Sequence, residues 1–247
     1  MPRYFLELAY KGTNYSGFQV QENAISVQSV VEKAMETVFR QPVTLTGSSR
    51  TDTGVHALKN YFHFELDVDI LRNHLYSLNS ILPPDIAINA IFPVQKEAHC
   101  RFDAVSREYK YFIYRQKDPF LEDRAWYYPY TLDLALLQES AQILLKYEDF
   151  TTFSKRNTQV KTFICHLESS EWSEEDGCLV YEVKANRFLR GMVRGLVGTM
   201  VKVGRGLVTL QQFRDIIESG DCTRADFTTP AHGLFLVSVN YPAGIFL

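Results

Sequence analysis

The chain has 247 residues, 46% hydrophobic, 13% aromatic and 22% charged, with 26 Lys and Arg against 29 Asp and Glu and a net charge of −3. These values exclude collagen-like, disordered and disulfide-scaffold classes and leave a globular chain of one large domain or two small ones. The near-neutral balance excludes a basic tail or an overall basic coat for nucleic acid. The four cysteines, Cys100, Cys165, Cys178 and Cys222, are far apart and form no CxxC pair. That argues against a structural zinc site and fits a reducing compartment. The first residues turn polar quickly, unlike a signal peptide, and no run of about 18 apolar residues occurs. The expected setting is cytoplasmic, with no membrane partner.

Arg3–Tyr10 reads as a strand and Asn14–Gly17 as a turn. Ser26 is placed to N-cap a helix with apolar residues at Val27, Val30, Val31, Ala34 and Val38. A short strand is expected around Val43–Leu45, followed by a small-residue loop from Thr46 to Gly54. Phe62, Phe64 and Leu66 alternate, which predicts a strand over Tyr61–Leu66. Ile70–Ile81 reads as a helix stopped by Pro83-Pro84, and Ile86–Phe92 as a strand. Glu108–Arg115 is an aromatic strand and Leu132–Tyr147 an amphipathic helix. Val160–Trp172 and Cys178–Ala185 form a predicted hairpin around Glu174-Glu175-Asp176-Gly177. Phe188–Val203 and Leu210–Ser219 read as helices and Gly233–Tyr241 as a closing strand. Strands alternating with helices, plus a hairpin, predict an α+β fold on a mixed or antiparallel sheet.

Three features could carry chemistry. In the loop Gly47–His56, Asp52 lies between Arg50 and Gly54. Asp and Gly favour turns, yet a carboxylate on such a loop could also act as nucleophile or base. Arg50 would offset the effect of burial and keep it ionised. His56 is a further candidate base, or a structural histidine. The second feature is the segment Lys184–Arg205, with six bases (Lys184, Arg187, Arg190, Arg194, Lys202, Arg205) and no acid. Arg187, Arg190 and Arg194 would line one helix face, with Gly191, Gly195 and Gly198 near it. This is either a solvated basic face or a face with one Arg turned to a carboxylate and others to phosphate. The third is the strand where Tyr109, Tyr111 and Ile113 alternate with Lys110, Phe112 and Tyr114. A core strand is the leading reading, base stacking the other. Phosphate-loop, dinucleotide, HExxH and nucleophile-elbow motifs do not occur. On the enzyme side this leaves a reaction without cofactor or metal, run by an aspartate.

At Arg50-Thr51-Asp52-Thr53-Gly54-Val55-His56-Ala57 the sequence resembles the signature of the tRNA pseudouridine synthase A (TruA) family. Tyr10-Lys11-Gly12, Tyr15-Ser16-Gly17-Phe18-Gln19 and Ser26-Val27-Gln28 are similar to its N-terminal segment. His99–Ala104 with Arg107-Glu108-Tyr109-Lys110-Tyr111, then Asp149–Phe153, Asn186–Arg194 and Gly233–Val239, resemble its later blocks in order. The resemblance implies Asp52 as the catalytic aspartate, Tyr109 as the tyrosine that stacks on the target base, and Arg194 as the aspartate's basic partner. It implies Arg50 in base flipping and RNA contact, and Leu234 in an apolar substrate pocket. His56, Arg187, Arg190, Lys184 and Arg205 complete the expected RNA-binding set. It further implies two similar mixed α/β halves, 1–105 with the Asp loop and 106–247 with the Tyr strand and basic helix. These would form one long, mainly antiparallel sheet with flanking helices and a central catalytic cleft. The implied enzyme is a cytoplasmic homodimer that isomerises uridine in the anticodon arm of tRNA, at positions 38–40, without cofactor. Ser49, Thr53, Phe18 and Arg190-Gly191 depart from the family pattern, and none of them removes a catalytic group.

Two rival readings stand beside it. One is a non-catalytic tRNA-binding or folding module, which would have no use for an intact Asp52. The other is a glycosidase-like hydrolase, which would need a second carboxylate from Glu65 or Asp103. Cys165–Glu182 carries six acids and no Lys or Arg, so the hairpin tip is expected to point away from RNA and the basic helix toward it.

Overall fold

Strand β1 (Arg3–Tyr10) is buried along most of both faces, and a strand pairs with each of its two edges. The computed structural model describes residues 1–156 and 160–247. These form two units, Met1–Val105 with Phe235–Leu247, and Ser106–Leu234. In the first, helix α1 (Val27–Phe39) follows β1 and is capped by Ser26, whose hydroxyl accepts from Ser29 N while Ser29 Oγ accepts from Ser26 N. Strands β2 (Thr46–Gly47) and β3 (His56–Glu65), helix α2 (Arg72–Ile81) and strand β4 (Ile86–Val94) complete the unit's N-terminal part. Antiparallel pairing sets Leu6 opposite Phe62 on β3 and opposite Ile91 on β4.

The expected strand at Val43–Leu45 is not formed; the pairing residues are Thr46 and Gly47, on β3. The cause is α1. Leu45 N donates to Glu32 Oε1 at 3.0 Å and Leu45 O accepts from Gln28 Nε2 at 2.8 Å, so helix side chains satisfy that backbone in place of a ladder. Strand β3 also begins earlier than its alternation suggested. Tyr61, Phe62, His63 and Phe64 are all buried, so both faces are covered and a period of two marks only part of the strand.

In the second unit, β5 (Ser106–Tyr114) pairs in parallel with the two-residue β6 (Trp126–Tyr127), which the sequence reading did not anticipate. Helix α3 (Leu134–Leu144) starts at Asp133, whose carboxylate accepts from Ala135 N and Leu136 N. Strands β7 (Leu167–Glu175) and β8 (Cys178–Ala185) form the expected hairpin. Asp176 (φ 47°) and Gly177 (φ 78°) make its two-residue left-handed turn. The first hairpin strand starts at Leu167 rather than Val160. Phe150 N donates to Phe163 O and Cys165 N to Glu148 O, so the preceding residues pair back to 148–150. Strand β8 lies between β5 and β7, antiparallel to both. Both units are α+β bodies on mainly antiparallel sheets, as expected.

Helix α4 (Met192–Gly204) overturns the basic-face reading. Gly191, at φ 73°, holds a left-handed turn that the helix cannot extend through, so Arg187 and Arg190 precede it. The helix itself is buried nearly all round. A Cβ at Gly198 would stand 2.4 Å from Asp226 O, and one at Gly195 2.8 Å from the Phe227 ring. The glycine side is therefore a packing face. Lys202 is held by Asp226 at 2.9 Å. Helix α5 (Leu210–Glu218) and strand β9 (Leu234–Asn240) follow. Strand β9 runs parallel to β3, with Phe235 beside His56. Among the described residues no helix is long and apolar enough to cross a membrane.

Candidate active site

The loop from β2 to β3 is fixed by buried polar groups on either side of Asp52. Asn60 has no exposed surface. Its Nδ2 donates to Ser49 O at 2.9 Å and Tyr10 OH at 3.2 Å, while its Oδ1 accepts from Ser49 N at 3.3 Å and Tyr61 N at 2.9 Å. Tyr10 OH and Thr51 Oγ1 are 2.7 Å apart, and Thr51 O accepts from Phe18 N at 3.2 Å. Val55 N donates to Asp52 O at 3.1 Å, closing the turn through Gly54 at φ 79°. Thr51 and Val55 are buried, Asp52 is half-buried and Arg50 is exposed. The side chains that anchor the loop thus belong to other residues, and the hydrogen bonds named here leave the Asp52 carboxylate unused. Such prior fixing is what a catalytic group would require. Ser49, where the family motif has glycine, buries an Oγ that has no hydrogen-bond partner among the described residues.

His56 does not belong to an RNA-contact surface. It is 1% exposed, accepts from Gly12 N at 3.0 Å through Nδ1, and packs on Phe235 with ring centroids 4.6 Å apart. Its place is under the loop, where it holds the Gly12 turn. Asn60 and Tyr10 carry the loop; the sequence reading named Tyr10 only within the N-terminal motif and did not single out Asn60. Asn60 stands directly before the aromatic residues Tyr61 and Phe62, which was the available signal for it.

In the second unit, Tyr109 sits on β5 opposite Val183, buried, with its ring edge-on to Phe188 at 5.0 Å. Tyr111, on the same face, donates to Pro230 O at 2.8 Å, and burial pushes its phenol far up. Arg194 lies in the first turn of α4. Its Nε donates to Thr229 O at 2.7 Å, and Thr229 Oγ1 donates back to Arg194 O at 2.9 Å. The segment 229–234 therefore ties Arg194 to the Tyr111 strand and ends at the buried Leu234. The Nη groups of Arg194 have no hydrogen bond among the described residues, so the clamp aims a guanidinium whose outer donors are open.

The remaining expected bases are scattered. Lys184 is paired with Glu168 at 2.6 Å. Arg205 lies over the Tyr130 ring at 4.2 Å. Arg190 is exposed and Arg187 half-buried. They do not share one helix face.

Among the described residues, one group gathers metal-ligand atoms: His63, His99 and Cys100, within 4.8 Å of one another. His63 Nδ1 is 3.2 Å from Cys100 Sγ and accepts from Cys100 N at 3.3 Å, while Cys100 Sγ also reaches Thr46 O at 3.1 Å. These atoms are already engaged with each other and with backbone. Burial, then the charges of His99 and Arg3, push His63 down from 6.5 to about 4. A depressed folded-state value means that stability is fully present above the unfolded value and is lost as pH falls from 6.5 toward 4. The expected loss over that window is about 3 kcal/mol. Urea unfolding from pH 7 to pH 4 should show it, and His63→Gln should flatten the slope. An unchanged slope in that variant would assign the acid sensitivity elsewhere.

A family model described as tRNA pseudouridine synthase matches residues 8–103 and 141–242. The chain belongs to that family. Among similar proteins, a "tRNA pseudouridine synthase A" from Porphyromonas gingivalis is 46% identical over 252 residues, covering 100% of both chains. One of the same name from Parabacteroides distasonis is 44% identical, over 100% of this chain and 98% of that one. One from Staphylococcus aureus is 37% identical, over 96% and 91%.

Proposed function

We infer that this chain isomerises uridine to pseudouridine in tRNA, at uridines of the anticodon arm. The observation that carries this reading is the anchored, half-buried Asp52 on a loop bearing the family signature, within a family match over most of the chain. The N1–C1′ bond breaks, the uracil turns, and C5 bonds to C1′; C5 gives up a proton and N1 gains one. No atom is lost, and the groups required are a nucleophile or base and a partner for the base. Asp52 supplies the first. Tyr109 stacks on the uracil, and the Arg194 guanidinium offers the positive charge that keeps a carboxylate ionised in a dry site. A stacked uridine is out of reach, so it must flip out at a cost of a few kcal/mol, with Arg50 holding the opened strand. Leu234 contributes apolar packing to the uracil pocket. Arg187 and Arg190 are the phosphate contacts kept from the sequence reading. Assembly as a homodimer in the cytoplasm rests on the family resemblance. The four free thiols fit a reducing compartment.

The test is direct. Purified protein incubated with unmodified tRNA transcripts, without added cofactor, should convert anticodon-arm uridines, read by carbodiimide treatment and primer extension. Transcripts left unconverted across tRNA species would end the proposal.

A further inference from the structure

A pocket of about 190 Å³ opens in the first unit on the Arg50 side of the Asp52 loop. Gln19, Thr46, Arg50, His99, Arg101 and Phe102 are among its lining residues, and none of the lining residues is acidic. Phe102 is 74% exposed, an unusual setting for a phenyl ring that the core does not need. It is not loosely held. The turn beneath it is closed by Asp103 N donating to His99 O at 3.0 Å and by His99 N donating to Asp103 Oδ2 at 2.7 Å. His99 Nδ1 accepts from Arg101 N at 3.1 Å. The His99 ring backs Phe102 at 4.2 Å, and the Arg101 guanidinium lies 5.8 Å from the Phe102 centroid. A fixed aromatic ring with guanidinium groups around it is the arrangement that binds single-stranded nucleic acid. The ring offers a stacking face to any base, and the guanidiniums meet phosphate.

We propose that this pocket is a second nucleotide-binding site, which receives an unpaired nucleotide near the target uridine, with its base on Phe102 and its phosphate toward Arg50 and Arg101. The proposal rests on tRNA being the substrate. It adds to that reading a contact outside the reacting base, which fixes the register of the loop before the uridine is flipped. The exposed ring and the guanidiniums together favour a nucleotide over an apolar partner, since a base stacks on Phe102 and a phosphate meets Arg50.

The experiment uses the full chain and tRNA carrying 2-aminopurine, placed in turn at each purine of the anticodon loop. One or more labels should change in fluorescence on binding to the wild-type protein and lose that change with Phe102→Ala. The tRNA Kd of Phe102→Ala should rise by about 5- to 150-fold, and Phe102→Trp should restore it. Unchanged Kd and fluorescence in Phe102→Ala would overturn the proposal. So would a shift from dimer to monomer in sedimentation with tRNA binding retained, which would assign the ring to a second copy of the chain. The binding signal is read without turnover. A protein that quenches the label yet forms no pseudouridine would refute the proposed reaction while leaving the pocket standing.

Discussion

Replacing Asp52 by Asn should lower the rate of pseudouridine formation by roughly 10⁴-fold, while the Kd for tRNA changes by less than about threefold. The substitution keeps shape and removes only the charge and the basic oxygen. The loop should not notice it. Its anchors are the Tyr10–Thr51 contact, the Asn60 bonds to Ser49, and the Val55 N to Asp52 O bond, which uses backbone alone. Stability should therefore stay within about 0.5 kcal/mol of wild type, as for a substitution that breaks no buried contact. Single-turnover kinetics, filter binding and thermal melts on the same preparations separate the three quantities. A variant that kept the wild-type rate would remove Asp52 from the chemistry and require another group as nucleophile or base. A variant that lost rate and binding together would make Asp52 a recognition residue.

The parts of the fold that were legible in the sequence are those set by local rules. β1 and the capped start of α1 follow from local composition and from Ser26, and the hairpin turn follows from Asp176-Gly177. What failed was decided by distant chain. Val43–Leu45 has strand composition, but Glu32 and Gln28 take its backbone groups. Arg187, Arg190 and Arg194 have helical spacing, but the helix starts only after Gly191, which leaves the first two outside it. The candidate site divides in the same way. The Arg50–Gly54 motif is contiguous and so was readable. Its supports, Asn60 and Tyr10, come from β3 and β1, and only the folded register brings them to the loop.

Charge shows the division most clearly. The acids of 165–182 and the bases of 184–205 are segregated along the chain but not in space. Lys110 on β5 meets Glu175 and Glu182, each at 3.0 Å, and Lys184 meets Glu168 on β7. Cross-strand pairing thus consumes part of what looked like a free acidic lobe facing a free basic helix. A sum over sequence windows has no access to strand partners. Arg50, Arg187 and Arg190, the bases proposed above to contact RNA, are outside the pairs named here.

Gly12→Ala should be the most damaging small substitution in the first unit. A Cβ at that position would stand 2.0 Å from Val55 O, 2.7 Å from Val55 C and 3.0 Å from Val55 N. All three are backbone atoms, so no rotamer change relieves the clash, and either the Gly12 turn or the Val55 segment must move. Both are committed. Gly12 N donates to the buried His56, and Val55 N closes the Asp52 turn. Displacement would break one of these bonds and leave a buried polar group unpaired, at about 1–3 kcal/mol, in addition to the packing strain of about 1–3 kcal/mol. A total loss of about 2–6 kcal/mol should lower Tm by roughly 4–24 °C for a chain of this size. Gly206→Ala is the control. Its φ of 71° is strained for alanine, but nothing lies within 4 Å of the added carbon, so about 1 kcal/mol is expected. The displaced turn carries Asp52, so Gly12→Ala should also lose rate at temperatures where it remains folded, and Gly206→Ala should not. Equal Tm losses in the two variants would mean that the Val55 segment yields freely. The loop would then owe its position to Asn60 and Tyr10 rather than to the packing of Gly12 beneath it.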